Sequence, residues 1–227
     1  MGGLGYERII IMYHYVEDKE FLKRMRNLCS GIINELVQLI NNEGILKVQA
    51  HMVGSGDKNL ETQNSNEPID LDYNISLLKC IYYDINDCDK IKEYIRKSFN
   101  IVLNRNGWGD CHDSTSALTT ERRHFIHGND TEFSIDLCII AESNGKWYRL
   151  IHEKTGFYQS DRWFWNEGKN SSGLLKKVKF LKDRHHWNEV RDVYLEKKNM
   201  YLRRNDYNHP SFNCYIETIN EVYNKYN

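Results

Sequence analysis

The chain has 227 residues, 40% of them apolar, with 31 Lys and Arg against 32 Asp and Glu and a formal net charge of -1 at pH 7. That balance excludes a globally basic nucleic-acid-binding surface and leaves any basic patch local, while the size suits one sizeable globular domain or two small ones. With two prolines and no Pro-, Ser- or Gly-rich run, a long linker is excluded as well.

The N-terminal stretch MGGLGYERIIIMYHY has a short apolar run but no basic region before it, and no later segment approaches the length that spans a bilayer. A cytoplasmic protein without membrane contact is expected. Residues 17–42 then predict a helix, because Phe21, Met25, Leu28, Ile32, Leu36, Leu39 and Ile40 keep to one face and Gly44 suits its C-terminal cap. A strand over 45–53 runs into Gly54-Ser55, where glycine permits a sharp turn and nearby N–H groups can hold phosphate oxygens. Residues 57–66 read as a polar loop outside the core, and 69–78 as the next strand.

Asp70-Leu71-Asp72 opens that strand. Side chains alternate along extended backbone, so the two carboxylates share one face while Leu71, Tyr73 and Ile75 anchor the other. Paired acids repel unless a cation lies between them, and hard divalent ions prefer carboxylate oxygens.

Residues 87–102 predict a helix with Ile91, Tyr94, Ile95 and Phe99 on one side. A loop over 106–110 follows, and then strands over 116–126, 132–140 and 146–152, with hairpin turns at Gly128-Asn129 and Asn144-Gly145. In the middle strand, FSIDLCII, the single acid Asp136 interrupts an apolar run. A lone buried charge costs several kcal/mol unless paired or metal-bound, which makes Asp136 the natural third ligand.

Helices are predicted over 171–184, 186–204 and 210–226, with Ser171 or Ser172 as a cap and Pro210 in a first turn. Basic residues outnumber acids between 169 and 204, and Lys176 and Lys179 are the candidates for holding a triphosphate, against the alternative of a solvated helix face. Of the aromatics after Asp136, most fill core. Trp163 or Trp165 is the candidate platform for a nucleobase. The six cysteines, at 29, 80, 88, 111, 138 and 214, lack CxxC spacing and read as reduced thiols; Cys111, His112, His124 and His127 match no zinc-finger spacing. Walker A, dinucleotide and nucleophile-elbow motifs are absent.

Gly-Ser after a strand, a following Asp-x-Asp strand and a later strand with one central Asp together resemble the nucleotidyltransferase superfamily typified by DNA polymerase beta. Trp163-Phe164-Trp165-Asn166 before a Lys-bearing helix resembles its oligoadenylate-synthase and cGAS-like (CD-NTase) branch. The resemblance covers mainly residues 45–140, and the Ser55 to Asp70 stretch is longer than is usual there. It implies an α+β fold, a mixed sheet flanked by helices in a nucleotidyltransferase core over 1–168, with a C-terminal helical subdomain over 169–227. It also implies that Gly54 and Ser55 contact an NTP, that Asp70, Asp72 and Asp136 bind two Mg2+ (or Mn2+) ions, and that an NMP passes to a hydroxyl with release of pyrophosphate. The product would be a nucleotide second messenger, often an antiviral defence signal. The acceptor stays open between a nucleotide, a small molecule such as an antibiotic, RNA and protein, and a non-catalytic nucleotide-binding role is the remaining alternative. Nothing in the sequence points to DNA.

Overall fold

The computed structural model describes residues 12–168, 173–206 and 211–227. In chain order they form β1 (Tyr13–Tyr15), α1 (Lys19–Glu43), β2 (Leu46–Met52), α2 (Gly54–Lys58), β3 (Thr62–Asn64), β4 (Ile69–Cys80) and α3 (Cys88–Arg105). There follow β5 (His112–Asp113), β6 (Leu118–Thr119), β7 (Phe133–Ser143), β8 (Lys146–Glu153), β9 (Arg162–Glu167), α4 (Leu174–Asp183), α5 (Trp187–Arg203) and α6 (Ser211–Tyr226). This is the expected α+β mixture of a mixed sheet, flanking helices and C-terminal helices. No helix among the described residues is long and apolar enough to cross a membrane.

The chain divides into two compact units. One comprises Glu17–Glu61 and the described residues of Pro68–Asn170; the other comprises the described residues of Met1–Val16 and Ser171–Asn227 together with Thr62–Glu67. β1 and β3 pair antiparallel, and Asn199 of α5 holds β1 by accepting from Tyr13 N (2.7 Å) and donating to Tyr13 O (3.0 Å). The stretch expected as a polar loop over 57–66 is thus part helix and part strand. Leu60, Glu61, Gln63 and Asn64 are all buried, with Glu61 ion-paired to Arg26. Charge-neutralising partners, invisible in a hydropathy pattern, let polar residues go inside.

In the larger unit the sheet order is β2-β4-β7-β6-β5, with β8 pairing β7 and β9 pairing β8. β4 and β7 run parallel, which demands a long crossover, and α3 lies within it. α1 starts at Asp18, whose Oδ1 accepts from Phe21 N at 2.9 Å, and ends at Gly44 with φ 71°. Its buried stripe is Phe21, Leu22, Met25, Cys29, Ile32, Ile33, Leu36 and Ile40, so Leu28, expected inside, is exposed. Asn41 fastens α1 to β2 by donating to Val48 O (3.0 Å) and accepting from Val48 N (2.9 Å) at a register shift in the strand.

Three strand expectations change. The strand over 116–126 shortens to Leu118–Thr119 plus a single bridge from Arg123 to Phe133. Gly128-Asn129 lies in the long connection to β7, whereas Asn144-Gly145 makes the tight β7–β8 turn with both residues at positive φ. Residues 163–166, expected to lead into a Lys-bearing helix, lie in β9. α4, α5 and α6 agree with the predicted helices; Ser171, Ser172 and Pro210, named as their start signals, lie outside the described residues. All six cysteines are free thiols.

Candidate functional site

β4 buries Leu71, Tyr73 and Ile75 on the face covered by α1, where Tyr73 and Ser30 hydroxyls meet at 2.9 Å. The alternate residues Asp70, Asp72 and Asn74 therefore point to the other face. β7 runs parallel in a register that sets Ser134 beside Asp70, Asp136 beside Asp72 and Cys138 beside Asn74. Partners in a parallel ladder share a face, so the three acids come together across two adjacent strands, about 4.8 Å apart. A one-residue slip would turn Asp136 into the core, and the apolar partners Ile135, Leu137 and Ile139, all buried, prevent it.

Two of the acids are held by hydroxyl donors. Ser134 Oγ donates to Asp70 Oδ1, and Thr119 Oγ1, from β6, donates to Asp136 Oδ1 at 2.6 Å. Burial, then the neighbouring charges of Asp136 and Asp70, push the Asp72 carboxyl up to about 6 against the opposing pull of Arg149 and Lys58. Burial likewise raises Asp136; the Thr119 hydrogen bond opposes this and the Asp70 charge adds to it. Among the described residues no group of three His, Cys, Asp or Glu side chains is already placed to hold a metal ion. Asp70, Asp72 and Asp136 nonetheless present three carboxylates on one face, two of them held above their ordinary range by burial first and by neighbouring carboxylates second, and a hard divalent cation beside them would lower that cost.

The Gly-Ser turn belongs to the same place. Val53 N donates to Asp72 O at 2.8 Å, and Gly54, at φ 70°, sits so close that a Cβ there would fall 2.4 Å from Asp72 Oδ2. Glycine is required twice over, by the left-handed backbone and by the carboxylate. Gly54→Ala is expected to lose about 1–2 kcal/mol of stability from the backbone alone and to displace Asp72; a thermal melt and cation binding measured on the same protein check both. Ser55 follows in α2, next to Gly56, which is packed between Met52 and Leu71.

Two cations that sequence reasoning did not select stand beside the acids. Lys58 donates to Gly54 O at 3.0 Å, and Arg149 of β8 pairs in register with Ile140, placing it on the acid face. The signal for Arg149 was available in β8, where it alternates with buried Leu150. Trp165 lies on a different face. It pairs with Leu150, which points to the face opposite Arg149 and Asp136, and its indole N–H donates to Ile85 O at 2.8 Å. Trp163 shares that face, stacked 4.2 Å from His152, whose ring nitrogens meet Asp113 (2.6 Å) and Asp161 (3.0 Å). On β9 the acid face is occupied by Phe164 and Asn166 instead. Lys176 and Lys179 lie on α4 of the other unit, exposed, with Lys179 ion-paired to Asp183 at 2.5 Å.

No protein-family model matches the chain, and no curated protein sequence matches it. Solved structures do. The Elizabethkingia meningoseptica CdnE cyclic dinucleotide synthase with GTP and Apcpp aligns with a TM-score of 0.51 at 14% identity, over 89% of this chain and 70% of that one. The chain shares the fold of that synthase. The Bradyrhizobium diazoefficiens CD-NTase CdnG in complex with GTP aligns over 65% of this chain at 11% identity and a TM-score of 0.42. The chain spans 39% of that structure's length.

Proposed function

We propose that the chain transfers a nucleoside monophosphate from an NTP to a hydroxyl acceptor with release of pyrophosphate, making a nucleotide signal. The observation that carries the reading is the register pairing of Asp72 with Asp136 beside the close contact of Gly54 with Asp72. The CdnE cyclic dinucleotide synthase of the same fold supports it, since GTP and Apcpp are bound there.

In this reading Asp70, Asp72 and Asp136 hold Mg2+. When bound, the cations supply positive charge for the leaving pyrophosphate and acidify the acceptor hydroxyl. Gly54 lets the backbone approach the triphosphate, and Ser55 offers it a hydroxyl and an N–H. Lys58 and Arg149 add positive charge beside Asp72. Asp136, whose proton affinity burial raises, accepts the hydroxyl proton as the acceptor oxygen attacks the α-phosphate.

The test is incubation of the chain with each of the four α-labelled NTPs and Mg2+, without any other acceptor. A labelled product with stoichiometric pyrophosphate supports self-contained nucleotide signalling. Pyrophosphate that appears only after an aminoglycoside, RNA or protein is added would move the acceptor to that class, and no nucleotide-dependent thermal shift with any NTP would contradict the proposal.

A further inference from the structure

Asp113 pairs with Leu118, and Leu118 with Leu137, so Asp113 lies on the face of the sheet opposite Asp136. A cluster of buried charges that the reaction does not use surrounds it. Lys92 of α3, 3% exposed, places its ammonium 2.6 Å from Asp113 Oδ1 and donates to Ser114 O at 2.8 Å. His152 of β8, 5% exposed, turns one ring nitrogen to Asp113 Oδ2 and the other to Asp161 Oδ2. Burial pulls Lys92 below the usual lysine range, and Asp113 opposes that pull. Interior ion pairs add little net stability, and their best-attested use is to fix one arrangement of the chain.

The arrangement fixed here is a short hairpin. β5 and β6 contribute two residues each, and Ser114 N donates to Ala117 O at 2.9 Å in the turn between them. An isolated two-stranded hairpin is marginal in water, so one this small needs support from both sides. On one side stand the Lys92 and His152 side chains, with His152 N donating to Thr115 O at 2.8 Å. On the other, Thr120 N donates to Ile135 O at 3.0 Å, and Thr120 Oγ1 accepts from Ile135 N at 2.9 Å. Thr119 is thereby set in register with Asp136, to whose Oδ1 its hydroxyl donates. That commits the only hydroxyl proton of Thr119, so Ser114 Oγ, 3.3 Å from Thr119 Oγ1, is the donor in their contact and orients it from behind.

We propose that Thr119 is a positioning residue for Asp136, and that the charges clamped on Asp113 hold the hairpin that presents it. The inference rests on the reading of Asp136 as the acid that takes the acceptor proton.

Thr119→Val keeps the β-branched shape and removes the donor. It is expected to lower kcat for pyrophosphate release at least tenfold with KM for the NTP within twofold, and Thr119→Ser is expected to keep kcat within threefold of the unaltered chain. Asp113→Asn is expected to lower kcat at least fivefold, but less than twofold when added to Thr119→Val, because it acts through that hydroxyl. Hydrogen exchange read by mass spectrometry, without nucleotide or cation, follows the hairpin itself. Residues 112–120 are expected to exchange at least tenfold faster in Asp113→Asn, with α1 unchanged. Should that variant fail to fold with Lys92 left beside an amide, the double variant Lys92→Met, Asp113→Asn replaces it in both measurements. If the unaltered chain releases no pyrophosphate with any NTP and acceptor, the reading of the site fails and the inference is decided by exchange and by Mn2+ binding beside a non-hydrolysable NTP. Thr119→Val is expected to weaken that binding at least threefold and Thr119→Ser to restore it. Full turnover or full Mn2+ affinity in Thr119→Val, independent effects in the combined variant, or unaltered exchange of the hairpin would overturn the proposal.

Discussion

Asp136→Asn is expected to lower pyrophosphate release by a factor of about 10³, within the 10² to 10⁴ that a positioned general base contributes, while NTP affinity changes only a few-fold. The substitution preserves shape, and Asn Oδ1 still accepts from the Thr119 hydroxyl that now meets Asp136 at 2.6 Å. It also leaves Asp70 and Asp72 as cation ligands and the Gly54-Ser55 turn untouched. What it removes is one of three cation-holding carboxylates, the one that also takes the acceptor proton. Steady-state pyrophosphate release, set beside equilibrium binding of a non-hydrolysable NTP, separates the two effects. Near-normal turnover with every NTP and acceptor that the unaltered chain accepts would remove Asp136 from the reaction.

Asp72→Asn is expected to stabilise the cation-free fold at pH 7 even as it destroys the site. Burial and two neighbouring carboxylates hold Asp72 at about 6 in the fold, above its ordinary value near 4. An acid whose folded value is raised costs stability in its ionised form. Below pH 4 it is protonated in both states and the cost is absent; the cost grows between pH 4 and 6 and is complete above 6. At 1.36 kcal/mol per pKa unit, and after discounting for water at the partly exposed carboxyl, Asn gains roughly 1–3 kcal/mol at neutral pH. That is a rise in Tm of about 2–4 °C for each kcal/mol in a chain of this size. Melts of both proteins without divalent cations at pH 4 and pH 7 measure it, and the difference should shrink towards zero at pH 4. A variant that melts lower at pH 7 would show that the acid face is not under repulsion.

The acid face was legible because strand periodicity is simple. Alternation around Leu71, Tyr73 and Ile75 placed Asp70 and Asp72 together, and an apolar run placed Asp136 in a central strand. Sequence could not give the register between β4 and β7, which decides that Asp72 and Asp136 meet, because it depends on a crossover of more than fifty residues. Residues 57–66 misled for a different reason. Arg26, far away in sequence, neutralises Glu61, and β1 pairs with β3, so polarity there did not mean exposure. The side taken by Trp165 was not legible, because composition shows an aromatic cluster but not which side of a strand each ring takes. Two pairings, Ile140 with Arg149 and Leu150 with Trp165, settle that side. Arg149 was missed for the complementary reason, since its partner for charge lies on another strand.

Manganese binding tests the central claim most directly. Mn2+ is titrated at pH 7, by electron paramagnetic resonance, into the unaltered chain and Asp72→Asn, each with a non-hydrolysable NTP analogue. If the acid face is a cation-dependent nucleotide site, the unaltered chain binds Mn2+ saturably and only with its nucleotide partner at full affinity, and Asp72→Asn weakens that binding at least tenfold. Equal binding by the two proteins, or no saturable binding by either, would contradict it.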